Sequence, residues 1–218
     1  MKILLISSSP RKEKSQTFLL AKEVLKGCGG KNAECKIVHL RDLKIDFCRH
    51  CESCHRKILL CPVKDDAHVV IQKMLEADGI ILASPNYINQ VTGSMKTLFD
   101  RASHFIHCRR LLDKYIAAVV TSGGGQDLEV LEYIKYYAHT CAAQYSGGVS
   151  SCAYKVSDKL EEARRLGKRL AANIEEKKVF TEQMKIIEAG KEHFKKIIQL
   201  RKNDWKEEYN YWRQKGWL

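Results

Sequence analysis

Apolar positions along the chain switch repeatedly between two rhythms. Residues 2–6 (Lys-Ile-Leu-Leu-Ile) are a short apolar run that predicts a buried opening strand. A polar turn, Ser7 to Ser15, follows. Thr17 to Lys26 has helical spacing, with Ser15 as its cap and Gly27, Gly29 and Gly30 closing it. Lys36 to Leu40 alternates and predicts a second strand. Residues 46–64 have no period. Asp65-Asp66 opens a helix to Glu76, with Val69, Val70, Lys73 and Met74 at helical spacing. Gly79 to Ser84 reads as strand three, and Ser84 to Tyr87 as a loop. Thr92 to Met95 starts a helix carrying Leu98, Phe99 and Ala102. Tyr115 to Val120 is strand four, followed by a helix from Leu128 to Ala143. Gly147 to Ala153 is a weaker fifth strand. Ser157-Asp158 is placed to cap a charged helix reaching Glu175.

Strands alternating with helices at this spacing predict an α/β fold, a parallel sheet covered on both faces. Five strands suit the doubly wound, flavodoxin-like order 2-1-3-4-5. The expected organisation is one domain over 1–175, a Cys-rich insert at 46–64, and a helical extension over 176–218. That extension ends in Trp205, Tyr209, Tyr211, Trp212 and Trp217. It is amphipathic and is expected to pack on a neighbouring domain or subunit.

Composition narrows the class. The 218 residues are 44% hydrophobic and 29% charged, a globular balance that excludes a disordered chain. Three prolines leave no Pro-rich linker. No apolar run approaches the ~18–20 residues of a membrane span, and the first one is too short for a signal peptide. A cytoplasmic protein with no membrane partner is expected. The net charge is +12, and it is spread: residues 158–218 hold 16 basic and 11 acidic side chains against 22 and 15 in the rest. A basic chain suits nucleic acid, anionic cofactors or acidic protein partners. Nine cysteines, an odd number without a secretory signal, argue against a disulfide framework.

Three loops follow successive strand tips, where open α/β sheets bind ligands. In the first, a helix beginning near Ser15 aims N–H groups and a positive dipole end at the crevice. Ser9, Ser15 and Thr17 add hydroxyls and Arg11 adds charge. Neither G-x-x-x-x-G-K-[ST] nor G-x-G-x-x-G occurs, which disfavours ATP and Rossmann dinucleotide chemistry. The second loop is Ser84-Pro85-Asn86-Tyr87-Ile88. The third is Thr121-Ser122-Gly123-Gly124-Gly125, whose glycines let backbone approach a planar ligand. Together the three fit a mononucleotide with a flat ring, meaning FMN.

The sharpest signal is Cys48-x2-Cys51-x2-Cys54-x6-Cys61-Pro62. Three cysteines at every third position and a fourth from a short loop can wrap one compact cluster. The bacterial ferredoxin run shares the triple and the closing Cys-Pro. A single zinc more usually takes two Cys-x2-Cys pairs separated by a longer spacer. Iron–sulfur, zinc and inert thiols remain the alternatives at this point. Arg49, His50, His55, Arg56 and Lys57 would set cations around the thiolates. His104 and His107 share three-residue helical spacing, readable as a metal pair or as ordinary histidines.

The first-loop set Ser9-Pro10-Arg11…Ser15-Gln16-Thr17 resembles the iron–sulfur flavoprotein family, within the flavodoxin-like FMN reductases. So do Ser84-Pro85-Asn86-Tyr87…Thr92-Gly93-Ser94-Met95-Lys96…Phe99-Asp100-Arg101, Gly123-Gly124-Gly125 and the four-cysteine motif. The resemblance implies FMN phosphate on Ser9, Arg11, Ser15, Gln16 and Thr17. It implies the isoalloxazine against Pro85, Asn86, Tyr87, Ile88 and the glycine loop, and a 4Fe–4S cluster on the four cysteines. It further implies a homodimer or homotetramer. Ser8 departs from the glycine that many relatives carry there. The expected function is an FMN-dependent oxidoreductase that passes electrons between cluster and flavin, with an acidic ferredoxin as a possible partner. Two alternatives stand beside it. One is an NAD(P)H-dependent FMN or quinone reductase whose cysteines hold zinc or nothing. The other is a basic nucleic-acid-binding protein with a cysteine-knuckle site, which the even charge spread disfavours.

Overall fold

A computed structural model describes residues 1–29 and 33–218. The strands are β1 (Lys2–Ser7), β2 (Glu34–His39), β3 (Gly79–Pro85), β4 (Tyr115–Ser122) and β5 (Gln144–Cys152). They form one sheet in the order β2-β1-β3-β4-β5, every neighbour parallel. The expected order is the observed one. Alternate residues of each central strand feed two cores. Leu4, Ile6, Ile80, Leu82, Ile116 and Ala118 face one, Ile3, Leu5, Ile81 and Ala117 the other. Two-sided burial is why these strands read as unbroken apolar runs.

Helices α1 (Gln16–Cys28) and α7 (Leu160–Glu175) cover one face. Helices α3 (Ala67–Glu76), α4 (Gly93–Arg101) and α6 (Asp127–Thr140) cover the other. Two glycines set the α1–α7 crossing. A Cβ on Gly27 would lie 2.1 Å from the Arg164 carbonyl oxygen, and one on Gly167 would lie 1.9 Å from that of Val24. Gly27 is therefore a contact point inside α1, not the stop expected for it. The helix runs on to Cys28, before Gly29, and Gly30 lies outside the described residues. Ser15 caps α1 as expected, its Oγ accepting from the Phe18 N–H at 3.3 Å.

Two further boundaries differ. Strand β5 begins at Gln144, earlier than its hydrophobicity suggests. A bulge opposite Ile116/Ala117 and Gly147 at φ 122° interrupt its alternation. Ser157 and Asp158 do not cap α7. A 3-10 segment, Ala153–Lys159, leads into it, and Ser157 Oγ donates to Asp158 Oδ1 instead.

The extension folds back on its own chain. Helices α8 (Thr181–Leu200) and α9 (Lys206–Gln214) bury Ile198, Trp205 and Trp212 in a third cluster. Helix α9 lies against the short helix α2 (Ser53–Arg56) of the Cys-rich insert. The neighbour expected for the tail is thus the insert of the same chain. No helix among the described residues is long and apolar enough to cross a membrane.

Candidate functional site

The three loops at the strand tips are stitched together. Thr17 Oγ1 and Thr121 Oγ1 share a 2.6 Å hydrogen bond between the first and third loops. The Asn86 N–H donates to the Thr121 carbonyl at 2.7 Å. Its Nδ2 donates to the Gly125 and Gln126 carbonyls, both at 3.2 Å. Ser122 Oγ accepts from the Gly125 N–H at 2.9 Å.

Ser9, Ser15 and Thr17 are buried at this junction, while Arg11 and Gln16 are exposed at the start of α1. Ser9 Oγ accepts from the Arg11 N–H at 3.4 Å. The N–H groups of Gln16 and Thr17 precede the helix's first internal acceptor and are free for an anion. A Cβ on Gly123, Gly124 or Gly125 would meet no protein atom within 4 Å, and Gly125 has φ 112°. The protein's own packing therefore asks for glycine only at 125; the other two leave open room beside the crevice. The Asn86 Oδ1 is buried without a partner. Buried hydroxyls at a helix start, open glycine backbone and an orphaned amide oxygen fit a phosphate joined to a flat polar-edged ring.

Pro85 ends β3, and Tyr87 to Gln90 closes as a tight hairpin. Its two corner residues, Ile88 and Asn89, have φ 51° and 58°. Asn suits that region, but a β-branched residue there is strained. Ile88 is 99% exposed and Tyr87 51%. The second loop thus holds a projecting apolar tip. Asn89 at the second corner is a local signal for such a turn that the sequence reading did not use.

Cys48, Cys51, Cys54 and Cys61 line one cavity of about 240 Å³, with Arg49, His50, His55, Arg101, Ser103 and His104 among its walls. All four are free thiols. Burial pushes Cys54 up to about 11, whereas a hydrogen bond to Ser53 pulls Cys51 down. A cation in the cavity would hold both as thiolates.

The insert buries little of itself. Of residues 46–64, only His55 and Val63 are buried. Its neck is tied by Arg101, which pairs with Asp65 and donates to the Asp46 carbonyl at 2.8 Å, the Val63 carbonyl at 3.2 Å and Cys61 Sγ at 3.4 Å. Asp65 also accepts from the Asp46 N–H at 2.8 Å. Both ends of the insert therefore meet on one ion pair. The sequence reading placed cations around the cysteines but missed Arg101, which arrives from α4. Arg56 instead braces the insert's own backbone, donating to the Cys51 carbonyl at 2.7 Å.

His104 and His107, on the short helix α5 (His104–His107), do not act as a pair. His104 faces the cysteine cavity, is 2% exposed, and has no hydrogen-bond partner on either ring nitrogen. Burial depresses it to about 4, so its ring is neutral near pH 7 and carries one N–H. A buried N–H with no protein acceptor fits an anionic occupant of that cavity.

His107 turns to Glu208, to which its Nδ1 donates at 3.1 Å, while His55 Nδ1 donates to the other oxygen at 2.7 Å. The donor atoms of His55, His107 and Glu208 lie within 4.8 Å of one another, close enough for a metal ion. The imidazoles, however, are stacked at 4.5 Å and 17°. Their Nδ1–H groups run side by side rather than converging, and each points to its own carboxylate oxygen. The trio is a hydrogen-bonded clasp. Burial raises the Glu208 carboxyl, and the two imidazole donors more than offset that, leaving it below its ordinary range.

Residues 1–153 match the family model described as NADPH-dependent FMN reductase. An iron–sulfur flavoprotein of Archaeoglobus fulgidus is 37% identical over 142 residues, 62% of this chain and 68% of that protein. A second from the same organism is 30% identical over 226 aligned positions, covering all of both chains. Among solved structures, a flavone reductase superposes with TM-score 0.65 at 20% identity. It covers 80% of this chain, which spans 63% of that protein's length.

Proposed function

Because the chain belongs to the iron–sulfur flavoproteins, within the NADPH-dependent FMN reductase family, we propose that it carries FMN at the strand tips and a 4Fe–4S cluster on Cys48, Cys51, Cys54 and Cys61. The FMN-dependent oxidoreductase class comes with the family. The cluster and the electron exchange between the two centres are the finer reading. The carrying observation is that the four cysteines of one self-unsupported insert open onto one cavity walled by Arg101 and an unpartnered His104.

When bound, FMN supplies one- or two-electron chemistry and a cluster supplies one-electron chemistry. The chain's part is placement and tuning. Ser9, Ser15, Thr17 and the first N–H groups of α1 would hold the phosphate, with Arg11 adding charge from outside. Pro85 and Asn86 would line the ring, Tyr87 and Ile88 would overhang it, and the Gly123–Gly125 backbone would lie along its edge. Arg101, at 3.4 Å from Cys61 Sγ, and His104 direct N–H groups toward the cysteine cavity. Both would favour added electron density on the sulfurs and raise the potential.

The acceptor or donor is proposed to be a small acidic carrier of the ferredoxin type, drawn by the basic surface. A homodimer or homotetramer is proposed as the working state. Exposed Phe47 and Ile88 would supply apolar surface to it.

The test is iron, sulfide and FMN measured per chain on anaerobically prepared protein. Four irons, four sulfides and one FMN support the reading. One zinc, or no metal, with FMN present favours the cluster-free NAD(P)H-dependent reductase.

A further inference from the structure

We propose that the segment from Arg201 to Glu208 is a positioning element of the cysteine centre, holding Cys51 and Cys54 in the shape that ligates metal. The proposal rests on the reading that these cysteines bind a cluster.

The insert cannot set that shape alone. Between Cys48 and Cys61 its only buried side chain is His55. Its backbone bonds are confined to the one turn of α2 and its exit: His55, Arg56, Lys57 and Leu60 donate to Glu52, Glu52, Ser53 and Lys57 respectively. A loop with so little apolar burial and so few internal bonds opens at low cost. The side chains flanking Cys51 and Cys54 are instead gripped from the far end of the chain.

Glu52, next to Cys51 and at φ 55°, accepts from Arg201 Nη2 at 2.8 Å and Trp205 Nε1 at 3.1 Å. His55, next to Cys54, donates to the fully buried Glu208. The Ile58 N–H donates to Glu207 Oε2 at 2.8 Å. The Trp205 ring stands 4.8 Å from His55 and 4.9 Å from His107. The far side of the clasp is anchored, because Trp212 Nε1 donates to the His107 carbonyl at 2.9 Å and Trp212 is fully buried. Three successive grips, at 52, 55 and 58, fall on the stretch holding the middle cysteines. Groups that orient metal ligands in this way commonly change metal affinity roughly ten- to a hundredfold when removed.

The experiment uses the full chain with FMN bound and three variants: Glu208→Gln, the surface double variant Arg201→Ala/Glu207→Ala, and Glu207→Gln. Backbone hydrogen exchange over residues 52–58 is followed in metal-free protein. Iron release to a chelator is followed after anaerobic reconstitution, with FMN per chain as the control for folding. The first two variants are expected to exchange at least about tenfold faster over 52–58 and to lose iron ten- to a hundredfold faster at unchanged FMN. Glu207→Gln keeps an oxygen for the Ile58 N–H and is expected to stay near the parent. Exchange or iron release equal to the parent in the double variant overturns the clasp. A parent that binds FMN but no iron overturns the cluster reading and with it the role assigned here.

Discussion

Arg101 and Asp65 form an ion pair with side chains only 2% and 1% exposed, at the point where the Cys-rich insert leaves and rejoins the domain. Removing one partner strands a buried charge. Asp65→Ala is therefore expected to cost about 3–5 kcal/mol of unfolding free energy, read by urea denaturation. Asp65→Asn keeps one acceptor and should cost less. Equal stability of parent and Asp65→Ala would refute the role of the pair.

Gly124 separates binding from folding. No protein atom lies within 4 Å of where its Cβ would be, and its φ is not left-handed. Gly124→Val should leave thermal stability within about 0.5 kcal/mol. FMN affinity should fall at least about tenfold, or 1.4 kcal/mol, as titrated by quenching of flavin fluorescence. Unchanged affinity would remove the glycine loop from the flavin site.

His104→Phe keeps the bulk of the ring and deletes its N–H. One neutral hydrogen bond is worth ~1 kcal/mol. For a one-electron couple that corresponds to a fall of up to about 40 mV in the potential of the cysteine centre. Spectroelectrochemical titration should show that fall with the flavin potential unmoved. A shift in both potentials would point to a general loosening instead.

Glu23 gives the pH dependence a sign. Its carboxylate accepts from Lys26 and, at 2.7 Å across the helix crossing, from Arg164. The bond from Lys26, with that from Arg164, outweighs burial and holds Glu23 below its ordinary value of 4.5. A carboxyl depressed in the folded state adds stability above that ordinary value and loses it as pH falls through the lowered one. Both cations are half exposed, so the contribution at neutral pH is about 1 kcal/mol or less. Glu23→Gln should be less stable than the parent at pH 7, and the gap should close in acid denaturation series.

The legible parts of this chain were those written in local pattern. Strands β1, β3 and β4, buried on both faces, stand out as apolar runs, and the cysteine spacing stands out as a candidate metal-ligand pattern. Strand β5 blurred because a bulge and Gly147 broke its alternation. Contacts between distant polar residues left no local trace. Thr17 and Thr121 meet across 104 positions, and Arg101 reaches the insert from a helix that reads as ordinary. Glu208 did carry a cue. It sits four residues before Trp212, on the same face of α9, so a carboxylate was being placed on an apolar stripe. His104 had none, because the isolation of its two nitrogens depends on what surrounds them.

The clasp has a consequence for biosynthesis. His55 and Glu208 are separated by 153 positions. At ~5–20 residues per second of translation, the insert leaves the ribosome roughly 8–30 s before its last support can be made. In the proposed cluster protein, iron would enter the open insert during that interval, and the clasp would close behind it.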